Sequence, residues 1–391
     1  MLKSTRLLIH SSYRLFFRSL ADMRNTTLLL AFLLSFAGGL FAQLTSPQEF
    51  FEGYTETFTA HHKLVQYVET IAEQSPNVSI QQYGTSYEGR PLMLAFISSK
   101  ATIDELERAR EDHLKRSQII EGKPFGTAKA VVWLSCSVHG NEVAGSEASP
   151  QILYDLASAK TGDSLASYLD NTIVILDPSL NPDGYTRYTD DQRRRATLLP
   201  DANPSAWEHH ESWPNGRTNH YQFDLNRDWA WATQKETQAR LKVYHQWFPH
   251  VHVDLHEMGA NSSYYFAPAA EPYHAYLTDF QRSFQETIGR NHARIFDKNG
   301  WLYYTGEVFD LLYPSYGDTY PMFNGSIGMT YEQGGSGFAG RALARNEGDT
   351  LTLADRIGHH YATSISTIAV ASRNVNELVA AASDYRKEAK T

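Results

Sequence analysis

A histidine and a glutamate three residues apart, His139 and Glu142 in His139-Gly140-Asn141-Glu142, follow directly on the apolar run Ala130–Val138. Imidazole nitrogen and carboxylate oxygen can converge on one cation. Zinc accepts both, and a catalytic zinc site uses three protein ligands and leaves a position for water. The spacing alone is weak, but ligands in open α/β sheets gather at the carboxyl ends of strands, which is where this pair falls. A third ligand must come from another strand end. His256, in Val253-Asp254-Leu255-His256-Glu257, supplies one, because the alternation before it places it where a strand meets a loop. The competing reading of His256 is a core imidazole bonded to a backbone carbonyl. His209, His210 and Glu211 form a rival cluster without a strand to position them, and His359-His360 reads as part of a solvated surface helix.

Two further segments carry chemistry. Phe223-Asp224-Leu225-Asn226-Arg227-Asp228-Trp229 offers Arg227, whose guanidinium fork can grip a carboxylate through two parallel bonds, and Asn226 as an added donor. Met329-Thr330-Tyr331-Glu332 puts a carboxylate at the end of an apolar strand, in reach of a general-base role.

These residues need a scaffold, and helical and strand-like patterns alternate along the chain, which indicates an α/β fold. Helical spacing covers His62–Glu73, Val143–Ala157, Lys235–Trp247 and Tyr273–Ile295, and Leu351–Ala382 is mostly helical. Strands are expected at Ala130–Val138, Thr172–Leu176, His250–Leu255 and Ser326–Tyr331. Asp177–Asp228 shows little periodicity and reads as one long functional loop.

The 391 residues are 42% hydrophobic and 13% aromatic, which excludes global disorder, and the net charge of -9 argues against a nucleic-acid partner. The single cysteine, Cys136, excludes a disulfide scaffold. Leu28–Ala42 is an apolar run behind Arg24, too short to span a bilayer comfortably, and reads as a secretory signal cleaved after Ala42, with Met23 as an alternative start. Its removal leaves 30 basic against 43 acidic residues, a net of -13, in an exported protein with no stable membrane anchor. The expected organisation is a signal at 1–42, a lead-in at 43–61, a catalytic domain at 62–371 and a helical tail at 372–391.

Taken in order, the HxxE pair, Asn181-Pro182-Asp183-Gly184, Asp224 to Trp229, the His256 strand and Glu332 resemble the zinc metallocarboxypeptidase family, carboxypeptidase A-like, in its bacterial exported form. Gly84-Thr85-Ser86-Tyr87-Glu88-Gly89-Arg90-Pro91 is similar to another of its segments, and the resemblance runs from about His62 to Ala371. It implies a single α/β domain with a central mixed, mostly parallel sheet flanked by helices. It also implies one zinc per chain on His139, Glu142 and His256, with the substrate's terminal carboxylate on Asn226 and Arg227. Glu332 becomes the general base and later the proton donor.

Other positions are less direct. The family's oxyanion-stabilising arginine has four candidates here, Arg193, Arg194, Arg195 and Arg217, of which Arg194 is favoured. Its mobile tyrosine corresponds to Tyr313 or Tyr316, and Asp318 to a position in the side-chain pocket, preceded by the uncharged Gly317. Asn141 stands where digestive members carry arginine. The expected reaction is hydrolysis of C-terminal peptide bonds by a secreted or periplasmic enzyme acting on peptides. Cell-wall stem peptides are an alternative substrate for the same mechanism, and deacylation of N-acyl amino acids is a second alternative. A catalytically dead binding module is the remaining class, and the presence of every ligand position argues against it.

Overall fold

The computed structural model describes residues 44–389; the expected signal segment lies outside the described residues. The strands of the main sheet are β1 (Val78–Thr85), β2 (Pro91–Ile97), β3 (Ala130–Cys136), β4 (Thr172–Asp177), β5 (Val251–Gly259), β6 (Tyr264–Tyr265), β7 (Tyr303–Tyr304) and β8 (Ile327–Gly335). Their spatial order is β1-β2-β4-β3-β5-β8-β6-β7. At the centre β4, β3, β5 and β8 run parallel. The antiparallel pairings are β1 with β2, β2 with β4 and β8 with β6. The sheet is therefore mixed, with a parallel core.

The longer helices are α1 (His61–Gln74), α2 (Leu106–Arg116), α3 (Ala144–Ala157), α4 (Pro182–Arg195), α5 (Lys235–Trp247), α6 (Asp279–Asn299), α7 (Leu353–Arg373) and α8 (Val375–Glu388). Alternation along the central strands sends side chains to opposite faces, and each face is covered. Val132 and Leu134 of β3 join Val253 and Leu255 of β5 under α1, α3, α6 and α7, through Tyr67, Ile152, Ile288 and Ile368. Val131 and Trp133 face the other way and pack with Leu241, Tyr244 and Trp247 of α5. Burial on both faces explains why these strands read as near-continuous apolar runs.

Several boundaries differ from the sequence reading. The segment expected as a loop from Asp177 contains α4, fourteen residues long. Asn181 caps it by accepting from the Gly184 N–H at 3.0 Å, and Pro182 occupies its first turn, an initiation signal that weak apolar periodicity concealed. Instead of starting at Tyr273, α6 starts at Asp279, where Thr278 and Gln281 form a capping box. Both β5 and β8 run past their expected ends, so His256 and Glu332 sit inside strands and pair directly in register. The β1–β2 pair went unread. His360 is buried on α7, with Nδ1 2.9 Å from the Tyr264 hydroxyl, and is not solvated.

Candidate metal centre

The peptide turn after β3 is built for the first ligand pair. Ser137 lies in the left-handed region at φ 51°, and its hydroxyl donates to the Glu142 carbonyl at 2.9 Å. This brings His139 Nδ1 to 2.8 Å from Glu142 Oε1. From β5, His256 Nδ1 reaches 2.8 Å from Glu142 Oε2. All three side chains are buried, and their ligand atoms lie within 4.8 Å of one another.

Carboxylates stand behind both imidazoles. Asp224 Oδ1 is 3.0 Å from His139 Nε2, and Asp254 Oδ2 is 3.1 Å from His256 Nε2. A carboxylate behind a ligating histidine fixes its tautomer and raises its basicity. With Nε2–H of His139 donating to Asp224, the neutral ring turns a lone pair toward Glu142. Positive charge is needed between them, and the donor set fits a three-ligand zinc. Neither Asp224 nor Asp254 was singled out from sequence. The signal was present, since Asp254 precedes His256 by two on the same strand face, and a ligand histidine needs such a partner.

A cavity of about 350 Å³ opens beside this cluster, lined by Arg217, Asn226, Arg227, Tyr316, Asp318 and Glu332, among others. Asn226 is held by the Gly317 N–H donating to Oδ1 at 2.7 Å, and its Nδ2 lies 3.3 Å from His256 Nε2. The half-exposed Arg227 guanidinium stacks 4.6 Å over the Tyr316 ring. Burial pushes the Glu332 carboxyl well above its usual range; Glu142 and Asp254 add to this and His256 opposes it. Burial likewise pushes Asp318 up to about 6, against the hydroxyls of Thr319 and Thr330.

The expected arginine is corrected. Arg194 is 75% exposed and pairs with Asp191 on α4 at 3.1 Å, away from the cavity. Arg193 pairs with Asp190, and Arg195 with Asp191. Arg217 is the candidate placed at the cluster, with Nη1 3.3 Å from Glu142 Oε1 and Nη2 3.0 Å from Asp224 Oδ2. Helical spacing carries Arg194 outward, whereas a close backbone contact carries Arg217 in. A Cβ on Gly140 would sit 2.6 Å from the Gly216 carbonyl oxygen, and one on Gly184 2.3 Å from it. The segment before Arg217 is thus seated on both the ligand turn and the start of α4.

Of the two tyrosines, Tyr316 lines the cavity, while the Tyr313 hydroxyl accepts from Trp231 Nε1 at 2.8 Å, outside that lining. The Ser86-to-Arg90 segment clamps α4. Ser86 Oγ donates to Asp183 Oδ1 at 2.6 Å, and Arg90 Nη1 lies 2.7 Å from the same oxygen. In the rival cluster, His209 spends its ring nitrogens on the carbonyls of Phe338 and Asp201, both at 2.8 Å.

The model of the family described as zinc carboxypeptidase matches residues 64–335. Carboxypeptidase 2 of Trichophyton tonsurans and that of Trichophyton rubrum are each 28% identical over 136 residues, covering 35% of this chain and 20% of theirs. The match thus spans about a fifth of those curated relatives' length. Among solved structures, a metallo-carboxypeptidase from Burkholderia cenocepacia superposes with a TM-score of 0.56 at 17% identity, over 83% of this chain and 71% of that one. Bovine thrombin-activatable fibrinolysis inhibitor, solved in complex with tick carboxypeptidase inhibitor, gives 0.54 at 15% identity, over 83% of this chain and 99% of that one. The fold is shared with these two solved structures.

Proposed function

The chain belongs to the zinc carboxypeptidase family, and on that premise we propose that it removes C-terminal residues from peptides outside the cytoplasm. The observation that carries this reading is the convergence, on one cavity, of a three-ligand cluster, a buried carboxylate and an Arg–Asn pair. When held by His139, Glu142 and His256, zinc supplies Lewis-acid polarisation of the scissile carbonyl and a lowered pKa for water.

The remaining steps belong to the chain's own side chains. Arg227 and Asn226 grip the terminal carboxylate, with the planar guanidinium steadied on Tyr316. Arg217, anchored by Glu142 and Asp224, directs N–H toward the oxygen that gains charge as the carbonyl is attacked. Glu332 takes the proton from the attacking water and returns it to the leaving amine. Its burial raises the carboxylate's affinity for that proton. Asp318 and Thr330 lie on the wall that meets the terminal side chain.

Export is supported by the apolar run Leu28–Ala42 behind Arg24. Among the described residues, no helix is long and apolar enough to cross a membrane. On the strength of that run we place the mature protein in the periplasm or the medium, acting on peptides, with cell-wall stem peptides as the alternative substrate. The test is mass spectrometry of zinc-loaded protein on matched peptides with free and amidated C-termini. Release of single residues from the free-carboxylate set alone is expected; cleavage of both sets at equal rates overturns the carboxypeptidase reading.

A further inference from the structure

The cavity does not end at the metal cluster. A second space of about 680 Å³, lined by Asn141, Glu211, Ser336 and Phe338 among others, shares Glu142, Arg217, Glu257 and Met258 with the first. Its size falls in the usual range of ligand sites. The proposed function, on which this inference rests, sets the polarity of a bound peptide. With the terminal carboxylate on Asn226 and Arg227, the chain on the amino side of the scissile bond crosses Arg217 into the second space.

The charges there are nearly all committed. Glu142 faces His139 and His256. Glu257 is paired with Arg356 at 2.8 Å. Arg217 is shared between Glu142 and Asp224. Glu211 is the exception. Its carboxylate accepts only from neutral donors, Asn141 Nδ2 at 2.9 Å and the Gly216 N–H, and no ion pair reaches it among the described residues. Burial holds this carboxyl above its usual range, with Asp191 adding to the rise, while those two donors and Arg187, beyond ion-pair distance, oppose it. A half-enclosed carboxylate without an ion-pair partner is costly, and a cationic ligand group offsets that cost.

We propose that Glu211 is a specificity-determining residue, and that the second space selects peptides bearing an ammonium or guanidinium group on the amino side of the scissile bond. The group can come from a lysine or arginine side chain, or from the free α-ammonium of a short peptide. Both present the same donor chemistry to one carboxylate held in place by Asn141 and Gly216.

The test compares kcat/KM of the zinc-loaded protein on N-acetylated peptides that share one C-terminal residue. Lysine or norleucine is placed at the first, second or third residue before the scissile bond. A parallel arm leaves the amine of the norleucine peptides free. Lysine at one position, or the free amine at one length, is expected to raise kcat/KM about tenfold, as a charge-assisted hydrogen bond provides. In Glu211→Gln the same ratio should fall below about twofold, on that scale. The gain in the unaltered protein should also shrink as salt is raised to about 0.5 M. No preference at any position, a ratio unchanged in Glu211→Gln, or a gain insensitive to salt overturns the proposal. Cleavage of norleucine peptides without a lysine preference removes this inference alone. Failure to cleave any peptide removes the proposed function as well.

Discussion

Arg217 and Asp224 are seven residues apart and meet at 3.0 Å, Nη2 to Oδ2, while the other oxygen of that carboxylate lies 3.0 Å from His139 Nε2. One carboxylate therefore orients both His139 of the candidate metal cluster and the guanidinium proposed to face the substrate. The two functions are coupled through Asp224, and its loss should be felt in both.

Asp224→Asn is expected to weaken zinc binding by about 10- to 100-fold, the usual cost of losing a partner behind a ligand histidine. Competition against a chelator of known affinity measures this. Unchanged affinity would show that His139 needs no orienting carboxylate.

Arg217→Ala should lower kcat by about 100- to 1,000-fold, the range for removing one oxyanion donor. Arg194→Ala, on the outward face of α4, should leave kcat and KM as they were. Steady-state kinetics on one peptide, with zinc content checked for each variant, separates the two arginines. A large effect at Arg194 would reverse the assignment.

Glu332→Gln should keep its zinc and lose turnover by about 100- to 10,000-fold, the contribution of a positioned general base. Metal analysis beside single-turnover kinetics tests both halves. A variant that turns over normally would require another base.

The Arg356–Glu257 pair is fully enclosed, and Arg356 also donates to the Gly340 carbonyl. Arg356→Met leaves Glu257 charged and without its cation, which should destabilise the fold by about 3–5 kcal/mol. Urea unfolding followed by circular dichroism reads the change. A loss below about 1 kcal/mol, the scale of exposed pairs, would mean that water replaces the guanidinium.

Stability should fall in acid ahead of the carboxylate range. Burial lowers His61 and His113 to about 4 and His292 to about 3, whereas the unfolded imidazole titrates at 6.5. Between these values the unfolded chain binds more protons, so stability is complete above pH 6.5 and is lost as pH drops toward 4. The carboxyls that burial raises, Asp177 to about 7 and Asp318 to about 6 among them, contribute with the opposite slope, and the lowered imidazoles of His252, His359 and His360 stand with the first three. Thermal unfolding from pH 7.5 to 4 should show a falling Tm, with a shallower slope in His113→Asn. A Tm that rises through this range would contradict the sign.

Much of the centre was legible in the sequence because its residues cluster in short motifs at the ends of apolar runs. His139, Glu142, His256 and Glu332 each follow a stretch whose burial on both faces is written in its composition. What escaped was decided by contacts between distant segments. Arg217 and Arg194 are equivalent as letters, and only the seating of the loop on Gly140 and Gly184 separates them. The helix α4 was hidden because its buried face is built from Tyr185, Tyr188, Thr189 and Gln192, which do not score as an apolar stripe. His360 read as surface for a related reason, since its partner Tyr264 lies ninety-six residues away.

The contact at the Gly216 carbonyl also sets which part of the long loop is free to vary. Its closing residues touch the ligand turn and the start of α4 through the Gly216 carbonyl, and Glu211 reaches the same turn through Asn141, while Leu198, Leu199, Trp207 and Trp213 stand open to solvent. Exchanges at those four exposed side chains leave the reacting groups where they are. The molecule thereby interleaves, along one loop, side chains that can drift and side chains that cannot.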